Sequence, residues 1–209
     1  MNLPELIRLV RDQLKQTEDC YLVGGAVRDL ILGRDIQDFD FSTSIDPRVL
    51  ARRITDELDA AFYVMDPTRL TSRVIFRESG GEQQVMDFSS LQGNLEQDLG
   101  TRDFTINAMA IDLRHPEQIN DPLKGARDLQ ERWLRPCNPD SFVNDPVRVI
   151  RAARYAAELE LRIEPSTARM IEQAVASLGS VSLERKRDEL FKILDSANGF
   201  TAISLLNKF

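Results

Sequence analysis

The 209-residue chain holds 42 % apolar residues and two cysteines, Cys20 and Cys137, and carries a formal net charge of −7. That apolar content suffices for the core of one or two domains, and the widely separated cysteines exclude a disulfide framework or a zinc site. The acidic balance argues against a general nucleic-acid coat, whose affinity would come from Lys and Arg neutralising phosphates.

In chain order, Leu3, Leu6, Ile7, Val10 and Leu14 share one face, which predicts a helix over about Leu3 to Gln16 rather than a signal peptide. No run of about 18 apolar residues follows, so the expectation is no membrane, no export and a reducing cytoplasm. Strand-like runs are predicted at Tyr21 to Val23, Phe39 to Ser42, Phe62 to Met65, Arg73 to Phe76, Val85 to Phe88 and Ile106 to Asp112. Helices are predicted at about Ala26 to Leu32 and Pro47 to Leu58. From Asp121 the strands vanish. Asp145 to Leu159, Pro165 to Leu178 and Leu183 to Ser196 read as helices, the last capped by Ser182. The prediction is therefore an α+β half, a mixed sheet flanked by helices, over residues 1–138, and an all-helical part over 139–209. The division falls where Pro136, Asn138 and Pro139 cluster.

The chemistry concentrates between Tyr21 and Phe41. Gly24 and Gly25 stand where a strand turns into a helix, so backbone N–H groups face outward without Cβ interference, and Arg28 adds a cation one turn later. The pattern is not GxGxxG, which sets a dinucleotide-binding reading aside. Asp38 and Asp40 alternate on a strand and so point to the same face, with Cα atoms roughly 6 to 7 Å apart. A phosphate cradle followed by paired carboxylates suits divalent cations at a phosphoryl group.

The run GGAVRDLILGRDIQDFDFSTS resembles the signature of class II tRNA nucleotidyltransferases and bacterial poly(A) polymerases, the CCA-adding enzymes and their relatives. DLGTRDFTINAMAIDL from Asp98, DPLKGARDL from Asp121, NDPVRVIRAARYAAELELRIEP from Asn144 and, more weakly, LERKRDELFKIL from Leu183 follow in the family's order. The resemblance implies a nucleotidyltransferase head and a helical neck holding a protein template for the incoming base. It implies Mg2+ on Asp38 and Asp40, and it gives Asp87 either a place at the metal site or a polar place on the sheet edge. Gly24, Gly25, Arg28 and Asp29 would serve the triphosphate, Asp29 either by touching it or by orienting Arg28.

Arg102 and Asp103 precede a stretch of small residues, read as a strand, on which Asn107 offers a donor and an acceptor to a sugar hydroxyl or phosphate. Thr101 stands where the family commonly has a second arginine. Asp145 and Arg148, three apart on a helix, would present a carboxylate and a guanidinium to a base edge, with Asn144 in place of the family's glutamate. Arg151 and Arg154 continue that helix toward triphosphate or primer, or form a solvated face.

The resemblance thus implies addition of CMP, AMP or both, from CTP and ATP, to the 3′ end of tRNA. The alternatives are a poly(A) polymerase, a CC-only or A-only enzyme, and a nucleotide- or RNA-binding fragment without turnover. Family members usually continue into body and tail domains, so a head-plus-neck fragment or an unusually short member is expected. The oligomeric state stays open.

Overall fold

The computed structural model describes residues 5–36, 38–58, 60–66, 71–77 and 83–209. The chain divides into two compact units, Met1–Leu99 with Asn107–Pro122, and Gly100–Ile106 with Leu123–Phe209. Residues 3 and 4 of the predicted first helix lie outside the described residues.

The first unit contains α1 (Glu5–Asp12), β1 (Cys20–Val23), α2 (Gly25–Ile31), β2 (Asp38–Thr43), α3 (Pro47–Leu58), β3 (Ala61–Asp66), β4 (Thr71–Arg77), β5 (Gln83–Ser90), β6 (Ala110–Asp112) and β7 (Ile119–Asn120). Helix α4 (Leu95–Gly100) leads out of it. The strands form one sheet in the order β3-β4-β5-β2-β1-β6-β7. β2 and β5 are parallel and the other pairs antiparallel, which is the mixed sheet expected.

Alternation sets the two faces. Phe39 and Phe41 on β2, Val74 on β4, and Met86 and Phe88 on β5 are buried, and the rings of Phe41 and Phe88 stack at 5.0 Å. Helix α3 packs on β3, β4 and β5 and buries Leu50, Ala51 and Ile54. The residues between the buried ones, Asp38, Asp40, Arg73 and Asp87, therefore share the opposite, more accessible face.

Beside this sheet Glu18 accepts from Nη1 and Nη2 of Arg53 at 2.6 and 2.9 Å and from the Lys15 N–H at 2.9 Å. The Arg53 hydrogen bonds outweigh burial and bring the Glu18 pKa from its ordinary 4.5 down to about 2. A depressed carboxylate contributes stability above its unfolded pKa and loses it as pH falls through the folded value. Glu18→Gln is accordingly expected to flatten the decline in stability between pH 4.5 and about 2. Urea titrations across that window check this, and parallel curves for the two proteins would contradict it.

The second unit contains α5 (Gly125–Glu131), β8 (Trp133–Leu134), α6 (Ser141–Asn144), α7 (Arg148–Glu158), β9 (Arg162–Ile163), α8 (Pro165–Ala174), α9 (Leu183–Asp195) and α10 (Gly199–Leu206). Ile150 and Ala157 of α7, Ile193 of α9 and Ala202 of α10 form a buried cluster, with Leu178 and Leu206 against it. Ser182 caps α9 by accepting from the Arg185 N–H, as its position predicts.

Three expectations change. The part after Asp121 is not wholly helical, because β8 and β9 pair in parallel. The strand over Ile106 to Asp112 shortens to β6, and Thr105–Asn107 is a 3-10 turn. There Phe104 bridges Pro136 and the Thr105 N–H donates to the Arg135 carbonyl, so the backbone is committed away from the sheet. Asp145 is extended, with φ −151° and ψ 91°, and lies outside any helix, since Pro146 disfavours a helical conformation in the residue before it. Among the described residues no helix is long and apolar enough to cross a membrane.

Candidate active site

In the first unit the turn after β1 opens the site. Gly24 adopts φ 75° and ψ −141°, a conformation closed to residues with a Cβ, and delivers the chain into α2. A Cβ on Gly25 would stand 3.3 Å from Nη2 of Arg28, so the missing side chain leaves room for the guanidinium to fold back over the turn. Arg28 donates from Nε and Nη2 to both oxygens of Asp29 at 2.9 Å, and from Nη1 to Oδ1 of Asn107 at 2.7 Å. Asp29 thus orients Arg28, and Asn107, carried on the 3-10 turn, holds it from the other side.

The carboxylates lie along β2. Asp38 is exposed and Asp40 half-buried, on the face opposite Phe39 and Phe41. Asp40 is in register with Val23, at the end of the strand that delivers Gly24, and on its other side with Asp87 of β5. The next strand brings Arg73 into register with Asp87, and Nε and Nη2 of Arg73 donate to its two oxygens at 2.8 and 2.7 Å. Gly24, Gly25, Arg28, Asp38, Asp40, Asp87 and Asn107 therefore all belong to one unit.

Whether these residues suit magnesium is a question of donor chemistry. Asp38 and Asp40 offer hard oxygen ligands from neighbouring positions on an open face. Among the described residues no group of three or more His, Cys, Asp or Glu is arranged to hold a metal ion. Mg2+ keeps several waters and is held by one or two carboxylates together with substrate phosphates rather than by an all-protein cage, so the pair fits it.

The remaining predicted residues belong to the second unit. Asp103 is buried; Oδ1 accepts from the Phe104 N–H, and Oδ2 from Nε and Nη2 of Arg151 at 2.9 and 2.6 Å. Arg151 also donates from Nη1 to Glu189 at 2.9 Å and from Nη2 to the Tyr155 hydroxyl at 3.0 Å. Arg154 donates from Nε to the other Glu189 oxygen at 2.9 Å, and its guanidinium lies 4.2 Å from the Tyr155 ring centre. Burial opposes the Arg151 charge, yet Tyr155, Asp103 and Glu189 outweigh it and its pKa rises. Glu189 answers in the same way: burial raises its pKa, and Arg151, Arg154 and Lys192 more than reverse this. Arg151 and Arg154 are thus members of a buried ion network and not a solvated face.

Arg148 donates to the Thr101 carbonyl at 2.8 Å, the Arg102 carbonyl at 3.1 Å and the Ser141 hydroxyl at 2.7 Å, tying α7 to the segment that carries Asp103. Asp145 stands 4.0 Å from Nε of Arg148 and accepts from Nη1 and Nη2 of Arg185 at 3.0 and 2.8 Å. In the DPLKGARDL stretch a Cβ on Gly125 would collide with the Thr105 carbonyl oxygen. Asp128, buried, accepts from the Thr105 hydroxyl at 2.6 Å and from Arg135, which anchors α5 to the same segment.

Sequence reasoning passed over Arg73, Arg185 and Glu189. The last two read as ordinary helix-surface charges, and only the Arg-x-x-Arg spacing of Arg151 and Arg154 hints that two guanidinium groups on one helix face need a shared carboxylate.

Two family descriptions match the chain: "Poly A polymerase head domain" over residues 20–135 and "Probable RNA and SrmB- binding site of polymerase A" over residues 160–209. A CC-adding tRNA nucleotidyltransferase of Geobacter sulfurreducens is 39 % identical over 176 residues, which cover 84 % of this chain and 40 % of the relative. An A-adding tRNA nucleotidyltransferase of Deinococcus radiodurans is 39 % identical over 193 residues, covering 88 % and 43 %. Poly(A) polymerase I of Salmonella typhi is 32 % identical over 210 residues, covering 91 % and 45 %. Among solved structures, a complex of CCA-adding enzyme with CTP superposes with a TM-score of 0.87 at 32 % identity, over 99 % of this chain and 52 % of the other. The Thermotoga maritima CCA-adding enzyme complexed with tRNA gives 0.86 at 32 % identity, over 99 % and 51 %. The chain spans about half the length of the curated relatives it matches. The head-domain match runs from β1 through β8 and takes in both glycines of the turn and Asp38, Asp40 and Asp87; the chain belongs to the poly(A) polymerase head-domain family, whose matched members are tRNA nucleotidyltransferases and poly(A) polymerases.

Proposed function

We propose that the chain carries the Mg2+-dependent nucleotidyl-transfer centre of an enzyme that adds CMP, AMP or both to the 3′ end of tRNA and releases pyrophosphate. The observation that carries this reading is the placement of Asp38 and Asp40 on one accessible sheet face, beside the strand end from which Gly24 and Arg28 emerge. Asp38 and Asp40 would hold the cation, while Gly24 and Gly25 keep the turn clear of side chains. Arg28, steadied by Asp29 and Asn107, presents a fixed guanidinium to a phosphate. When bound there, magnesium supplies charge neutralisation at the triphosphate and lowers the pKa of the attacking 3′ hydroxyl. The hydroxyl gives up its proton to solvent water, its oxygen forms a bond to the α-phosphorus, and the bond from the α-phosphorus to the pyrophosphate breaks. No protein side chain needs to act as the general base.

Within the second unit, Asp145 and Arg148 are the base-selecting pair of this reading. The names of the matched relatives support nucleotide addition to RNA but differ in what is added, and Asp145 is held by Arg185 at 3.0 and 2.8 Å with Arg148 at 4.0 Å. Incubation with labelled CTP, ATP or both, magnesium and tRNA lacking its terminal nucleotides distinguishes the outcomes by product length: CCA, CC, A, a long A tail, or no extension. The last outcome would leave the reading of a nucleotide-binding fragment.

Arg148→Ala is expected to weaken discrimination between CTP and UTP, or ATP and GTP, by about 1 to 3 kcal/mol, with a smaller effect on triphosphate affinity. Single-turnover rates with each nucleotide measure this. An equal loss for every nucleotide would assign Arg148 to holding the Thr101 and Arg102 carbonyls alone.

A further inference from the structure

Among the described residues Arg73 is a cation built into the carboxylate face, and no motif uses it. The registers β4 to β5 and β5 to β2 place Arg73, Asp87 and Asp40 in a single row across three strands, and directly paired residues project from the same side of a sheet. Arg73 grips both oxygens of Asp87, a bidentate geometry that holds the carboxylate in one orientation. The two side chains are 36 % and 24 % exposed, so the pair is open to solvent but not fully screened by it. The Asp87 hydrogen bond is the main influence that raises the Arg73 pKa against burial, and the charges of Asp38 and Asp40 add to it.

We propose that Arg73 is a positioning residue that occupies Asp87 and places a fixed positive charge beside the metal-binding carboxylates. The site then takes its divalent cation through Asp38 and Asp40 and holds it more weakly than the three carboxylates together would. The inference rests on the metal-site reading above. Strands about 4.8 Å apart put the Cα atoms of Arg73 and Asp40 roughly 10 Å apart. The long arginine side chain shortens the charge separation to within about a Debye length at physiological salt, so the repulsion between guanidinium and divalent cation is felt. It also removes Asp87 as a ligand while the clasp is closed, which leaves room for phosphate oxygens to complete the coordination shell. A purely structural clamp between β4 and β5 would affect folding and leave cation affinity unchanged.

The test is Mn2+ titration of the full 209-residue chain, followed by calorimetry or by the electron spin resonance of free Mn2+, without nucleotide. R73Q is expected to bind Mn2+ roughly tenfold more tightly than the unsubstituted chain, a change in a Coulomb interaction at short range and intermediate dielectric. R73K, which keeps the charge, should stay within about twofold of the unsubstituted chain. R73M, which retains the apolar stem, replaces R73Q if that variant fails to fold, and D40N serves as the reference for loss of the site. Binding lost in D40N but unchanged or weakened in R73Q and R73M overturns the role of Arg73 and leaves the metal site standing. No Mn2+ binding by the unsubstituted chain, or binding indifferent to D40N, overturns the metal site and the inference with it.

Discussion

Asp40→Ala is expected to reduce nucleotide incorporation at least about a thousandfold, on the order of 4 kcal/mol of transition-state stabilisation, while the chain stays folded. Asp40 is half-buried on the accessible sheet face, and its neighbours Phe39 and Phe41 supply the core contacts of β2 from the other side. Removing its carboxylate therefore takes away the proposed metal ligand without opening a cavity. The measurement is the single-turnover rate of labelled CTP or ATP addition to tRNA with magnesium, alongside circular dichroism. A variant that folds and turns over within about tenfold of the unsubstituted chain would remove Asp40 from the metal site.

The second large effect concerns stability. Glu189→Ala should destabilise the second unit by about 3 to 5 kcal/mol, because it leaves the half-buried Arg151 and the buried Arg154 without their shared carboxylate. Asp103 still answers one guanidinium, but Arg154 keeps only Glu158, at 3.1 Å, as a carboxylate partner among its described hydrogen bonds. Glu189→Gln keeps the shape and part of the hydrogen bonding, so its loss should be smaller. Urea denaturation followed by the fluorescence of Trp133, which lies in this unit 4.2 Å below the Arg162 guanidinium, reads the difference. A loss under about 1 kcal/mol for Glu189→Ala would show that the network is solvated and worth little.

What the sequence made legible followed from short-range periodicity. Alternation along DFDFST placed Asp38 and Asp40 together and Phe39 and Phe41 inside, and the burial of β2 agrees. The strand-to-turn position of Gly24 foretold a backbone conformation that only glycine accepts comfortably. Partners distant along the chain were not legible. Arg73 and Asp87 meet only because β4 and β5 pair in one register, and a shift of one residue would send one of them into the core. The strands β8 and β9 have two residues each, too few for any period to show. Asn107 was read as a strand residue because small side chains are as compatible with a strand as with the 3-10 turn it occupies.

At Asp145 the local signal is present in the sequence, since Pro146 disfavours a helix at the preceding residue. The Glu189 network needed the packing of α7 against α9, and along the chain only the spacing of Arg151 and Arg154 hints at it.

The proposed nucleotidyl transfer is tested most directly by following the two ends of the triphosphate separately. With magnesium and tRNA lacking its terminal nucleotides, label in the α-phosphate of CTP or ATP should pass into lengthened RNA, and label in the γ-phosphate should leave as pyrophosphate in equal amount. Release of inorganic phosphate with no label entering RNA, or γ-label on the RNA, would contradict the account.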